Sequence, residues 1–215
     1  MSFGLSAPEQ DPPMICLSVG FVFSEVSLIM TTIAAIEGDG WAVIAAESQS
    51  SDGEGFAINI PTGKIFKNNE LIIAGAGQVR GINLLEHGWD APAVKLKNTD
   101  KYVTSILIPS IRKCFDQADY EFKRDGESVE NDNIFIVCVQ RRIYRIDSDY
   151  SWERNQQNIY VAGSGERFAL GALSAMDAGS VSSVTQAKNY LRKAIKIASQ
   201  YDIYSGGEVK FMVCQ

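Results

Sequence analysis

Thr31-Thr32 heads an apolar stretch, Lys64 follows, and Asp202-Ile203-Tyr204-Ser205-Gly206-Gly207 lies near the C-terminus. A threonine hydroxyl attacks an amide only when a nearby group takes its proton. A chain beginning at Thr31 carries that base itself, as its free α-amino group. Such an amine, with an ordinary pKa of about 7.7 to 8, is suited to proton transfer near neutrality. Lys64, buried beside Thr31 and paired with Glu47, would keep its charge and favour the alkoxide. Its loss is then expected to abolish turnover while leaving the fold nearly intact. Gly75 offers a backbone N–H to a tetrahedral oxyanion and, having no side chain, lets substrate backbone approach. Asp202 and Ser205 would orient the amine and the water that hydrolyses the acyl-enzyme.

Each of these residues also has an ordinary structural use. Thr31 suits a strand as any β-branched residue does, and Lys64 with Glu47 could form a surface pair. Ser164 precedes Glu166 and Arg167, as a helix N-cap would, and Ser205-Gly206-Gly207 fits a helix C-cap and turn. The single histidine, His87 in Leu84-Leu85-Glu86-His87-Gly88, reads as a helix-end residue. Trp41 and Trp89 read as core or interface aromatics.

Composition narrows the functions. At 215 residues and 46% hydrophobic, the chain can bury one substantial core and need not be divided. Its formal charge of −6 and the lack of any Lys/Arg-rich stretch argue against nucleic-acid or membrane partners. Cys16, Cys114, Cys138 and Cys214 form no CxxC pair, which fits buried thiols in a reducing compartment rather than a zinc site or redox motif. With one histidine, no His-rich metal cluster is possible, and no cofactor is expected.

Residues 1–30 differ from the rest of the chain. They hold Pro8, Pro12 and Pro13 and an apolar run from Ile15 to Met30, with no Lys or Arg. A secretory signal needs a basic n-region, and the run is short for a membrane span. The segment reads as a removable propeptide or as translated sequence upstream of a start at Met30, and either route yields a chain beginning at Thr31.

From Thr31 the periodicity predicts strands at Thr32–Ile36 and Trp41–Ala46 around a Glu37-Gly38-Asp39-Gly40 turn. Further strands are expected at 56–60, at 64–67 and at 71–74 around Asn68-Asn69. A short helix ends at His87, and a long one runs from Tyr102 to Phe122 with Pro109 as a possible kink. A second strand group is expected at 134–139, 143–146 and 158–162, then helices from Glu166 to Met176 and from Val184 to Ala198. A last strand spans Glu208–Cys214. This order fits an α+β chain in which two stacked antiparallel sheets are flanked by helices, a four-layer αββα sandwich, although a two-domain α+β chain would read similarly.

These residues resemble the β-type subunits of the 20S proteasome and the smaller bacterial HslV-type peptidase, both N-terminal-nucleophile hydrolases. Thr31-Thr32-Ile33 resembles their mature N-terminus, and Met30-Thr31-Thr32-Ile33 looks like an HslV-type start. Glu47 falls sixteen residues after Thr31, where the family carries an acidic residue, usually Asp. Lys64 matches the active-site lysine, with one extra residue in between. Ala74-Gly75-Ala76-Gly77 resembles the segment whose first glycine donates to the oxyanion, while Gly163-Ser164-Gly165 and Asp202 to Gly207 resemble the later motifs. Six such motifs in order span Thr31 to Gln215.

The resemblance implies a cytoplasmic threonine endopeptidase, residues 31–215 forming its domain, that self-associates into stacked rings around an inner chamber. An ATPase acting in trans would feed it unfolded protein, since no Walker motif is present here. Thr31, Glu47, Lys64, Gly75, Ser164, Asp202 and Ser205 are the implied catalytic set. Ile73 stands where the family lines the pocket for the residue on the acyl side of the cut, which suggests hydrophobic substrates. Two alternatives stay open: a catalytically silent ring subunit, and an N-terminal-nucleophile amidohydrolase acting on a small amide without a ring.

Overall fold

A computed structural model describes residues 30–51, 56–61, 64–124 and 128–215; residues 1–29, including most of the expected propeptide and Cys16, lie outside the described residues. The first strands are β1 (Ile33–Gly38), β2 (Trp41–Ala46), β3 (Gln49–Ser51), β4 (Ala57–Asn59), β5 (Ile65–Asn68) and β6 (Leu71–Gly77). Helices α1 (Val79–His87), α2 (Thr99–Tyr102) and α3 (Ile108–Gln117) follow. Then come β7 (Phe122–Arg124), β8 (Ser128–Glu130), β9 (Asn133–Val139), β10 (Arg142–Ile146), β11 (Trp152–Glu153) and β12 (Ile159–Ala162). Helices α4 (Glu166–Ala175) and α5 (Val184–Tyr201) precede the final strand, β13 (Lys210–Cys214).

Two antiparallel sheets result, ordered β12-β1-β2-β13 and β11-β10-β9-β6-β5. Their hairpins follow from turn chemistry. Gly40 supplies a positive φ between β1 and β2, while Gln140 and Arg141 both adopt positive φ between β9 and β10, the pattern of a two-residue turn that matches strand twist. Next to β1 and β2, a Cβ on Gly38 would strike the Trp41 ring, so this glycine is needed for packing.

Four layers require three cores, and three are present. Helices α1 to α3 pack on the second sheet through Tyr102, Leu107, Phe115, Phe135 and Tyr144. Helices α4 and α5 pack on the first sheet through Leu173, Leu191 and Ile195 against Ile36 and Val43. Between the sheets lie Ile33, Ile44 and Ile136 with Ala42, Ala74 and Ala162, small residues that let the sheets approach closely. The expected αββα sandwich is therefore present.

Two local expectations, the bounds of the long helix and its kink at Pro109, are corrected. The helix expected from Tyr102 to Phe122 begins earlier, where the Asn98 side chain accepts from Lys101 N at 3.0 Å. It passes through a π-helical turn at Val103–Leu107 and stops at Gln117. Pro109 causes no break because it falls in the first turn of α3, where the π turn has reset the register. Phe122 instead enters the β7–β8 ribbon, which the pattern did not suggest. The strand expected at 56–60 is present as β4, shortened to Ala57–Asn59, where it pairs with β3 and its side chains are exposed.

Phe115 shows how much the helical layer depends on single side chains. It is fully buried and meets Tyr120 edge-on, with ring centroids 4.9 Å apart. Phe115→Ala is expected to lower unfolding free energy by about 3–5 kcal/mol, seen as a lower urea midpoint at an unchanged denaturant slope.

Candidate active site

Strand registers bring the site together. Ile33 pairs with Ala162 on one side and with Ala46 on the other. Thr31 and Thr32, just before β1, therefore meet Gly163-Ser164-Gly165 after β12 and Glu47 after β2. Lys210 also pairs with Ala46, so the segment between α5 and β13, which holds Asp202 and Ser205, crosses the same end of the sheet. Lys64 stands just before β5 in the facing sheet.

Thr31, Thr32 and Glu47 are wholly buried, and Lys64 is 5% exposed, which excludes the surface-pair reading. Lys64 Nζ donates to Thr31 Oγ1 and, at 2.7 Å, to Glu47 Oε1. Glu47 is held on both oxygens. Oε1 also accepts from Thr32 N at 3.3 Å, while Oε2 accepts from Gln49 N at 2.5 Å and Gly206 N at 3.2 Å. Burial pushes the Lys64 ammonium below its ordinary range, and Glu47 opposes that through charge and hydrogen bonding, with a smaller contribution from Asp202.

A second network surrounds the backbone of Thr31. Its N–H, here the amide to Met30, donates to Ser164 Oγ at 3.2 Å, and Ser164 Oγ donates to Asp202 Oδ2 at 2.6 Å. Ser205 Oγ donates to the same carboxylate oxygen at 2.5 Å and shares a 2.7 Å hydrogen bond with Thr32 Oγ1. Asp202 caps the C-terminus of α5, and Gly165, not Ser164, is the N-cap of α4. Ser164 is thus committed to Thr31 and Asp202 and does not act as a cap. His87 closes α1 with a largely exposed side chain.

Two expected residues take other roles. The Gly75 N–H donates to the Lys64 carbonyl at 3.0 Å, as part of the β5–β6 pairing, and so is not free for an oxyanion. Its lack of a side chain serves packing, because a Cβ there would come within 2.7 Å of Ile82 and 3.0 Å of Phe135. Ile73 is fully buried in the core under α1 to α3 and lines no pocket. Alternation along β6 turns it toward the helices.

The structure gives roles to three motif residues outside the implied catalytic set. Thr32 links Glu47 to Ser205. Gly163 has φ of 98°, and a Cβ on it would collide with the Thr31 carbonyl. A Cβ on Gly165 would collide with Thr32 Oγ1 and sit 3.1 Å from Asp202 Oδ2. Beside this cluster opens a cleft of about 520 Å³ lined by Ile134, Ser164, Arg167 and Phe168. Thr31 itself has φ of 144°, a strained value for a β-branched residue.

No family model matches the sequence, and no curated protein matches it by sequence. Solved structures do match. A Thiobacillus denitrificans BPH in complex with epoxomicin superposes with TM-score 0.70 at 19% identity, covering 86% of this chain and 98% of that one. HslV from Trypanosoma brucei gives TM-score 0.59 at 24% identity, over 85% of this chain and 98% of that one. A Gly-1 mutant of Anbu from Hyphomicrobium sp. strain MC1 gives 0.64 at 12%, over 86% and 81%. The fold is therefore the one shared with HslV- and proteasome-type structures. Among the described residues, no helix is long and apolar enough to cross a membrane.

Proposed function

We propose that this chain is a threonine endopeptidase of the N-terminal-nucleophile kind, working inside a ring assembly of its own copies after residues 1–30 are lost. The observation that carries the reading is the buried lysine that donates to both Thr31 Oγ1 and Glu47 Oε1. A buried ammonium is unfavourable, and its position against a threonine hydroxyl has a use only if that oxygen becomes anionic.

Release of Met30 would convert the Thr31 amide nitrogen into an amine, still beside Ser164 Oγ and, through it, Asp202. That amine would take the hydroxyl proton as Thr31 Oγ1 attacks the scissile carbonyl, with Lys64 stabilising the developing alkoxide. The protonated amine would then deliver its proton to the leaving nitrogen, giving an acyl-enzyme. Water, deprotonated by the same amine, would hydrolyse the ester and free Thr31. With the Gly75 N–H engaged, the oxyanion donor is assigned to Gly77, whose N–H lies two residues on and so on the same edge of β6. Loss of Met30 would also release the strained φ of Thr31, since that torsion exists only while Met30 is attached.

Ring self-association is the part of this reading that the shared fold supports; unfolded protein as substrate, an ATPase as feeder and a cytoplasmic setting are proposed with it. The test is the intact mass of the purified chain before and after a peptide epoxyketone, which reacts with both the hydroxyl and the amine of an N-terminal threonine. A species starting at Thr31 that gains one inhibitor is the expected result. A chain starting at Thr31 that gains none would assign the silent ring subunit. A native mass of a monomer or dimer, with the adduct formed, would instead favour an amidohydrolase of small amides.

A further inference from the structure

Three exposed apolar side chains stand next to the residues that hold the Thr31 nitrogen. Phe168, on α4, comes four residues after Ser164, while Tyr201 and Ile203 flank Asp202. Phe168 is 41% exposed and belongs to none of the three cores. Its ring stacks on that of Tyr201, at the end of α5, with centroids 5.6 Å apart and an interplanar angle of 28°. Contact between the two helices therefore holds an aromatic wall in place without burying it. Phe168 and Ile134, the latter from β9, give the cleft beside Ser164 two apolar sides, and the exposed Arg167 adds a positive charge. Glu166, also at this cleft, pairs with Arg145 Nη2 at 3.5 Å. A single exposed aromatic is ordinary, but one that walls a cleft beside the reacting group is what a ligand site requires.

We propose that this cleft binds the side chain of the substrate residue just after the cut, and that it selects a large apolar one. The inference rests on the proposed peptidase function. In that reaction the Thr31 amine hands its proton to the leaving nitrogen, so the two nitrogens must come within hydrogen-bond reach, about 2.6–3.2 Å. Ser164 Oγ is 3.2 Å from the same Thr31 nitrogen and lines the cleft. Lys64 and Glu47 are buried, which closes their side of Thr31 to substrate. The leaving nitrogen therefore arrives beside Ser164, at the mouth of the cleft, and the side chain on the carbon that follows it can enter. Met30 takes no part: its sulfur accepts from Ser51 Oγ at 3.2 Å, and neither residue lines this cleft. Contact with Phe168 and Ile134 favours Phe or Leu, and the charge of Arg167 disfavours Lys or Arg. The preference acts on acylation alone, because that residue has left before water hydrolyses the ester.

The test gives the purified chain a mixture of peptides identical up to the cut and differing only in the next residue, Phe, Leu, Gly or Lys. Mass spectrometry follows each peptide and yields relative kcat/KM. The Phe and Leu peptides are expected to be cleaved about tenfold faster than the Gly peptide, with the Lys peptide slowest. Phe168→Ala should bring the Phe, Leu and Gly peptides within about twofold of one another, and Arg167→Ala should raise the Lys peptide toward the Gly one. Both variants should still gain one peptide epoxyketone, which has no amino-acid residue on the leaving side. Equal rates for the four peptides in a natural chain that takes up the epoxyketone would overturn the subsite and leave the peptidase standing, whereas no adduct and no cleavage would remove both. A Phe168→Ala chain that keeps the preference but loses native mass would assign this face to a neighbouring copy and also overturn the subsite.

Discussion

Thr31→Ala is expected to reduce peptide hydrolysis by about 10⁴-fold or more, measured as kcat/KM on a fluorogenic peptide. The substitution removes the oxygen that Lys64 contacts and leaves the backbone nitrogen beside Ser164 unchanged. It also replaces a β-branched residue held at φ of 144° with one less crowded there, so folding should survive. Thr31→Ser keeps the hydroxyl and should keep measurable turnover, which separates loss of the nucleophile from loss of shape. The variant carries a second readout in its own N-terminus. If Thr31 attacks the carbonyl of Met30, the alanine chain retains residues 1–30 on intact mass. If an aminopeptidase trims Met30 from a shorter translation product, the alanine chain starts at residue 31. Unchanged hydrolysis by Thr31→Ala would remove the nucleophile and the proposed function with it.

How far the sequence revealed the site depended on whether a residue's role follows from strand ends or from cross-strand contacts. Thr31, Glu47, Lys64, Ser164, Asp202 and Ser205 each flank a regular element, and hairpin register is set by turn residues such as Gly40, so their convergence could be anticipated. Gly75 and Ile73 lie inside β6, where function depends on which neighbour takes the N–H and which core takes the side chain. Spacing along one strand does not contain that information. The four-layer order was legible because element sequence and hydrophobic period agree over long stretches. The π-helical turn before Pro109 and the β7–β8 ribbon were not, because both depend on local register and short pairings that carry little periodicity. The reading of Lys64 needs revision on energetic grounds. Its loss would not leave the fold nearly intact, because Glu47 is fully buried and would keep an uncompensated charge.

That burial makes the ion pair the second large test. Lys64→Met should lower activity at least as far as general electrostatic losses of about 10²–10³-fold, and it should also destabilise the fold by about 3–5 kcal/mol, because it leaves the Glu47 charge without its cation. Glu47 would still accept from the N–H groups of Thr32, Gln49 and Gly206, so adding Glu47→Gln preserves an acceptor while removing the stranded charge. The double variant should recover stability to within about 1 kcal/mol of the natural chain, since neutral replacement of both members of a buried pair is often tolerated. Activity should not return with it. The pH dependence comes from the same group. Burial lowers the folded pKa of Lys64 below 10.5, so between that lowered value and 10.5 the unfolded chain binds more protons than the folded one. Unfolding free energy of the natural chain, taken relative to the double variant, should therefore rise with pH through this window. Activity should fall over the same range as the ammonium loses its proton. A double variant no more stable than Lys64→Met would mean that the stranded Glu47 charge is not what destabilises the single variant. A double variant that regained hydrolysis would remove Lys64 from the chemistry and leave Thr31 to act without it.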